Sequence, residues 1–327
     1  MSSSLIKFLL NFNLQLNRII PVFEILFGTF GNIMNIVVFT MGRVLRGSPS
    51  SFYFLAASIN NLFFLHISLS TRMLASGWNI DISIYSDVLC KLRIFVTYIS
   101  NCLIQWFIVL ISVDRFLSSC STTHLREWST VIITRRASLG LVLIVSIIHF
   151  HILIWWNIIT STGNDRICIM ASVSYELFFS IFYIISTCLL PPLLMIIFGI
   201  KTIINVRQIR RKVVPIQQST RSNQNLPNKD RQMIRMLLTQ VPLAVLCILP
   251  FTMMNLYGTI NPDVLKSPSN SPESSFFFLF SNITRLISYL NSVLGFYIYT
   301  FVSRTFRNEI YFLLERGIHR IRFNRCF

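Results

Sequence analysis

Seven long stretches without a single charged residue restrict the folds that this chain can adopt. Each is close to the roughly 20 residues that a helix needs to cross the hydrocarbon core of a bilayer. Because a backbone in lipid must satisfy its own hydrogen bonds, runs of this length predict transmembrane helices. The stretches are 25–42, 47–71, 94–113, 137–164, 177–200, 236–262 and 286–303. They predict an all-α membrane protein built as a seven-transmembrane helix bundle.

The net charge of +17 is distributed unevenly along the chain. Most lysines and arginines lie at 42–50, 114–136, 201–235 and 303–327, which fall on one side of the membrane if the spans alternate in direction. Membrane proteins keep such basic segments on the cytoplasmic side. The asymmetry predicts an extracellular N-terminus. The high net charge is then explained by the orientation of the chain in the lipid bilayer, which is an expected partner. Binding to nucleic acid is not expected.

The chain offers no recognisable catalytic or metal-binding set. Its seven cysteines are scattered, without a CxxC pair or the His/Cys spacing that is typical of metal sites. Neither paired carboxylates nor a nucleophile–base set is visible in the sequence. We therefore expect no enzyme activity, no metal and no cofactor.

Three segments follow from this pattern. We expect 1–18 to be a short extracellular N-terminus, 19–303 the seven-helix transmembrane domain, and 304–327 an amphipathic helix with a short cytoplasmic tail. In the last segment Phe306 and Ile310 recur at helical spacing among basic residues. This spacing predicts a helix over 304–314 on the inner membrane surface.

The fifth and sixth spans contain prolines, and two connections have a predicted character. Pro191, Pro192, Pro242 and Pro250 interrupt the hydrogen-bond ladder, so bends are expected there. The outer loop between the fourth and fifth spans is expected to be short, at about 161–171. The outer loop at about 258–275, rich in Pro and Ser, is expected to be irregular.

Most spans carry a short motif, and the order and depth of these motifs match those of a known protein family. They are Gly31-Asn32 in the first span, Leu55-Ala56 and Asn60 in the second, Cys90 and Asp114-Arg115-Phe116 at the two ends of the third, Pro191 or Pro192 in the fifth, Cys247 and Pro250 in the sixth, Tyr299 in the seventh, and Phe306-Arg307 after it. Taken together, the sequence resembles the rhodopsin-like G-protein-coupled receptor family over residues 19–315.

The resemblance implies roles for residues at the inner end of the bundle. In the family, the arginine that matches Arg115 pairs at rest with its neighbouring acid, here Asp114, and with an acid at the base of the sixth helix. Asp230 lies 20 residues before Pro250, where that second acid is expected. Tyr299 matches the tyrosine of the seventh-helix motif. The alternatives are that Arg115 reaches towards lipid headgroups and that Asp230 is a solvated loop acid.

Two cysteines are predicted on the outer side, Cys90 and Cys168. A disulfide between them would join the short outer loop to the top of the third helix in an oxidising compartment. The alternative is a pair of free thiols. Cys326 near the C-terminus is either palmitoylated or an ordinary thiol.

The sequence departs from the family pattern at several positions. Asn60 replaces the usual aspartate, Ile104 and Gly295 replace polar partners, and no sodium site is therefore expected, because hard cations need oxygen ligands. Thr97 lies where amine receptors carry an aspartate, and Tyr289 lies where photopigments carry a lysine. The resemblance thus excludes a biogenic amine and retinal as ligands.

Polar residues in the outer halves of the spans predict the ligand pocket. Its candidate residues are Thr97, Asn101 and Gln105 on one face of the third helix, with Glu176, Asn255 and Arg285 from later spans. Arg285 is a lone cation inside a span, and two interpretations stay open. It binds a ligand carboxylate as a bidentate pair, or it pairs with Glu24 in the neighbouring first helix.

These predictions lead to one function and one alternative. We expect a multi-pass plasma-membrane receptor that binds an extracellular ligand, either a peptide or a small non-amine molecule, and activates a heterotrimeric G protein. The alternative is a seven-helix transporter or channel, which would need several buried ionisable groups along a pathway.

Overall fold

The computed structural model describes residues 2–160, 166–213, 228–261 and 272–324. Within these ranges the chain forms eight long helices and one two-stranded antiparallel hairpin, β1 (Trp156–Thr160) and β2 (Arg166–Met170). The helices are α1 (Ser2–Met41), α2 (Pro49–Trp78), α3 (Asp87–Ser118), α4 (Val131–Trp155), α5 (Val173–Tyr183 and, after a π-helical turn, Leu190–Val213), α6 (Asn228–Ile260), α7 (Pro272–Val302) and α8 (Arg304–Asn324). We call the end of the bundle that contains Cys90 the disulfide end, and the opposite end the Arg115 end.

The helices α1 to α6 each contain a segment that is long and apolar enough to cross a bilayer, and α7 and α8 meet the same criterion as a bent pair. The chain bends by 96° between α7 and α8. Arg307 stabilises the bend, because its Nη1 donates to the carbonyl oxygens of Thr300 (2.8 Å) and Phe301 (2.9 Å) at the end of α7. The predicted bundle with a surface helix is confirmed. The helix over 304–314 is longer than predicted and ends at Asn324.

A buried glutamate holds α8 against the chain that follows the neighbouring first helix. Glu309 is 4% exposed, and its two carboxylate oxygens accept from the backbone amides of Arg43 (2.6 Å) and Val44 (2.9 Å), just after α1. In the same region Phe306 packs on Phe39, with ring centroids 5.8 Å apart. These contacts close the Arg115 end between the first and the last helix.

The first helix begins well before its predicted span. α1 is a single helix of 40 residues, about 60 Å long at 1.5 Å per residue, so most of the expected N-terminal segment 1–18 is helical. Phe23, Phe27 and Phe30 on one face are exposed, as expected for a surface that meets lipid. The opposite face packs closely. A Cβ at Gly28 would lie 2.5 Å from the Leu65 side chain of α2, so a larger residue here would displace that side chain.

The prolines of α5 lie close to an irregular turn of the helix, whereas the bends expected at Pro191, Pro192, Pro242 and Pro250 stay predictions. Residues Ile184–Leu189 form a π-helical turn directly before Pro191 and Pro192. A proline lacks the amide hydrogen and its ring clashes with the carbonyl four residues earlier, which here is Thr187 or Cys188. The wider turn accommodates both prolines without ending the helix. A second π-helical turn, Phe64–Leu69, lies in α2.

The fourth span is shorter than the apolar run that predicted it. The run extends to 164, but α4 ends at Trp155 and the chain continues as β1, which pairs with β2. Periodicity cannot separate an apolar strand from the end of an apolar helix. The segment Asn157–Thr160 is rich in β-branched residues, which favour a strand. Residues 161–165, and 262–271 of the loop expected to be irregular, lie outside the described part of the chain.

Candidate functional site

The disulfide end is built around α3 and the hairpin. Cys90 in the first turn of α3 is bonded to Cys168 of β2, which confirms the predicted disulfide. Cys168 lies opposite Ile158 in the hairpin, and the amide of Ile158 donates to the carboxylate of Asp87 at 3.0 Å. A covalent bond and a hydrogen bond therefore fix both strands over the top of α3.

Two adjoining cavities lie below this hairpin. The larger, with a volume of about 300 Å³, is lined by residues of α2, α3, α5, α6, α7 and the hairpin, and the smaller, about 130 Å³, by residues of α3, α5, α6, α7 and β2. Both are lined by Tyr98, Met170, Tyr183, Asn255 and Arg285. Together they form one concave space of the kind that holds small ligands.

Four of the six predicted pocket residues line the larger cavity, namely Thr97, Asn101, Asn255 and Arg285. The Thr97 hydroxyl accepts from the Ser68 hydroxyl at 2.5 Å, and the Asn101 amide donates to the Tyr183 hydroxyl at 2.6 Å. These hydrogen bonds hold polar groups of α3 at the cavity wall.

The other two predicted pocket residues lie elsewhere. Glu176 lines the smaller cavity. Gln105 is one turn beyond Asn101 along α3, is 1% exposed, and lines neither cavity in the described part of the chain. The polar stripe on α3 therefore continues past the floor of the cavity into the core.

Arg285 faces the cavity and not the first helix. Its guanidinium carbon lies 5.1 Å from the ring centroid of Phe251 in α6, which is within the range of a cation–π contact. Among the side chains that the structure describes, neither Arg285 nor Glu24 takes part in an ion pair, and both carboxylate oxygens of Glu24 lack a hydrogen-bond partner. The alternative in which Arg285 pairs with Glu24 is therefore wrong.

The reason is the rotation of the two helices. Glu24 is one turn before Gly28, on the face of α1 that packs on Leu65 of α2 and Val293 of α7. Arg285 is on the face of α7 that meets α6. Neighbouring helices thus place the two charges in different environments.

Two further arginines line the larger cavity and were not among the predicted pocket residues. They are Arg72 of α2 and Arg93 of α3. Arg72 is the first charged residue after the second apolar run, and Arg93 the last before the third. Their position directly at the outer end of an apolar stretch was the sequence feature that could have predicted them as pocket residues.

At the opposite end, Arg115 and Asp114 are both 4% exposed and form an ion pair, with Arg115 Nη2 2.9 Å from Asp114 Oδ2. Asp114 also accepts hydrogen bonds from the hydroxyls of Ser129 (2.6 Å) and Ser50. The acid is therefore held by three donors, from α2, from α3 and from the segment before α4. Hydrogen bonds to a charged group of this kind are about twice as strong as neutral ones.

Tyr299 lies in the same half of the bundle. Its hydroxyl donates to Gln240 Oε1 of α6 at 2.7 Å, and its ring packs on Phe54 of α2 with centroids 5.1 Å apart. It thus connects α7 to α6 and α2. The backbone of Asp230 is in the first turn of α6, but its side chain lies outside the described residues, as does all of Cys326.

Sequence comparison agrees with this arrangement. A family model described as "7 transmembrane receptor (rhodopsin family)" matches residues 31–299, most of the bundle. The chain belongs to this family. It is therefore a multi-pass membrane receptor of the rhodopsin-like type.

Individual relatives are distant. The chain is 26% identical to the gonadotropin-releasing hormone receptor of Trichosurus vulpecula over 212 residues, 62% of this chain and 64% of that receptor. It is 23% identical to the somatostatin receptor type 3 of Homo sapiens over 307 residues, 90% of this chain and 67% of that receptor. It is 26% identical to a purinoceptor of Rattus norvegicus over 220 residues, 67% of this chain and 56% of that receptor. The matches thus cover about two thirds or less of each relative.

Proposed function

We propose that this rhodopsin-like receptor binds an extracellular ligand in the cavities at the disulfide end and activates a heterotrimeric G protein at the Arg115 end. The N-terminus is extracellular in this proposal, the membrane is the plasma membrane, and the ligand is a peptide or a small non-amine molecule. The observation that carries the proposal is the pair of sites at opposite ends of one family-matched bundle. An open cavity lies at one end and a buried Asp114–Arg115 pair at the other.

The named relatives support an external ligand. Two are receptors for gonadotropin-releasing hormone and for somatostatin, and a third is a purinoceptor. No single ligand is shared by these names, so they favour the receptor class without selecting a ligand. Agonist binding would shift an equilibrium between resting and active states by its differential affinity for the two.

A screen with a matched pair of variants tests the proposal. Cells that express the receptor are exposed to panels of peptides and small molecules, and second-messenger signals are recorded. A compound that activates the wild type should fail in Arg115→Ala and still act in Arg126→Ala, because Arg126 is an exposed arginine at the same end. Responses that persist in Arg115→Ala, or ligand-driven currents without a G protein, would favour the transporter or channel alternative instead.

Asp230 has a separate test. The family resemblance assigns it a contact with Arg115 in the resting state, so Asp230→Asn should raise ligand-independent signalling at equal surface expression. Glu127→Gln is the matched control, since Glu127 is an exposed acid at the same end. Unchanged basal signalling in Asp230→Asn would remove Asp230 from the mechanism.

A further inference from the structure

The larger cavity carries an unusual concentration of positive charge for the interior of a membrane protein. Arg72 from α2, Arg93 from α3 and Arg285 from α7 all line it. Among the described residues, no aspartate or glutamate lines this cavity. A buried cation is costly unless an opposite charge or a set of hydrogen bonds compensates it.

Arg93 is compensated by the chain itself. Its Nη1 lies 3.0 Å from Asp81 Oδ1 and 2.9 Å from the Ser83 hydroxyl, and its Nε donates to the Thr71 hydroxyl at 3.1 Å. These partners lie in α2 and in the connection between α2 and α3. They hold Arg93 as a structural clamp, and its charge is neutralised by Asp81.

Arg72 and Arg285 have neutral partners only. Arg72 Nη2 donates to the amide oxygen of Asn282 at 2.5 Å, and Arg285 faces the ring of Phe251. The buried Nε atoms of both arginines lack a hydrogen-bond partner in the described part of the chain, and neither arginine takes part in an ion pair there. Two guanidinium groups in one cavity thus have no ion-pair partner among the described residues.

The remaining wall of the cavity is apolar or neutral. Phe64, Tyr98, Phe251 and Tyr289 supply aromatic surface. Glu176 is an acid that lines the adjoining smaller cavity together with Arg285. It forms no ion pair with Arg285 in the described structure. The site thus combines an aromatic wall with donors that are arranged for an anion.

We infer that this cavity takes a ligand with an aromatic or apolar body and an anionic group, a carboxylate or a phosphate, which is bound between Arg72 and Arg285. A guanidinium presents a planar fork of donors that fits either oxyanion. The anionic group of the ligand would supply a counter-charge to the guanidinium groups of Arg72 and Arg285. The inference rests on the proposed function, since it names the ligand class of the same cavity.

The test is a thermal-stability titration of the purified full-length receptor without any G protein. The probes are phenylacetate, phenyl phosphate and neutral phenylacetamide, at constant ionic strength. At least one anionic probe should raise Tm in a saturable way, and phenylacetamide should not. A stronger effect of phenylacetate assigns the site to carboxylates, and a stronger effect of phenyl phosphate assigns it to phosphates.

Variants locate the effect. Arg72→Gln and Arg285→Gln should each increase the half-saturating concentration of the effective probe by about tenfold or more, because a hydrogen bond to a charged group contributes at least that much. Arg18→Gln is the matched control. Arg18 lies at the same end but binds the Gly77 carbonyl at 2.6 Å outside the cavity, so this variant should respond like the wild type. If a Gln variant does not fold, Arg285→Lys keeps the charge, loses the fork, and should also weaken the response.

Several results would overturn the inference. They are the absence of saturable stabilisation by either anion, equal stabilisation by phenylacetamide, or an undiminished response in the cavity variants. Because the titration needs no G protein, a receptor that binds the anion without coupling would contradict only the proposed function. A receptor that couples in response to a neutral agonist and ignores both anions would contradict only the inference.

Discussion

Arg115 and Arg285 lie at opposite ends of the same bundle, and their guanidinium groups have different partners. Arg115 has a carboxylate at 2.9 Å, and that carboxylate is also held by two serine hydroxyls. Arg285 has an aromatic ring and no carboxylate among the described residues. Arg115 thus has a counter-charge within the fold, whereas Arg285 has none among the described residues, and in our proposal the ligand supplies it.

The greatest loss of stability should come from a change at the Arg115 end. Asp114→Asn removes the carboxylate of a buried ion pair, and breaking a buried pair in this way costs about 3–5 kcal/mol. Thermal unfolding of the purified receptor should show a fall in Tm of roughly 10 °C, at about 2–4 °C per kcal/mol for a chain of this size class. Ser129→Ala, which removes only one hydrogen bond to Asp114, should cost about 1 kcal/mol. Equal Tm values for Asp114→Asn and the wild type would show that the ion pair at the Arg115 end does not stabilise the fold, and would contradict the difference between the two ends.

A second effect concerns the disulfide end, where a covalent bond joins α3 to β2. Cys90→Ala and Cys168→Ala should each cost about 2–5 kcal/mol and lower surface expression. The double variant should be little worse than either single variant, since either change alone already removes the bond. Cys188→Ala serves as the control, because Cys188 is a free thiol. Additive losses in the double variant would show that the two positions act independently.

A much weaker effect is expected at the other Asp–Arg pair, which separates the role of burial from that of charge. The side chains of Arg93 and Asp81 are 19% and 32% exposed. Asp81→Asn should therefore cost only about 0–1 kcal/mol, as for ion pairs near the surface. A loss as large as that of Asp114→Asn, measured in the same unfolding experiment, would mean that burial does not explain the difference between the two ends.

The bundle itself could be predicted from the sequence. Apolar length identified the spans, and the alternation of Phe306 and Ile310 with basic residues identified α8, because burial in lipid and at an interface leaves a direct mark on composition. The Asp114–Arg115 pair was expected from the resemblance to the receptor family, in which the matching arginine pairs with its neighbouring acid, and the structure contains this pair.

Other features depend on tertiary contacts that no local pattern records. The β-branched residues of Asn157–Thr160 favour a strand, but the point at which α4 ends and β1 begins depends on pairing with β2. The separation of Glu24 from Arg285 is decided by the rotation of two helices about their axes. The cluster of Arg72, Arg93 and Arg285 brings the consecutive helices α2 and α3 together with α7, which is far away in sequence. Each arginine therefore looked like a separate residue at the end of a span or within one.

A negative charge placed inside the cavity would show whether the disulfide end lacks a counter-charge. Ser288 is one turn from Arg285 on α7, is 8% exposed, and lines the same cavity. The matched pair Ser288→Asp and Ser288→Asn introduces side chains of the same shape that differ in charge, and the measurement is the Tm of each purified variant without ligand. If the counter-charge is missing, Ser288→Asp should be more stable than Ser288→Asn by about 1–3 kcal/mol, since it supplies a charged acceptor to an unpaired guanidinium. If Ser288→Asp is less stable than Ser288→Asn, a negative charge does not stabilise the cavity. That result would contradict the proposed difference between the two ends.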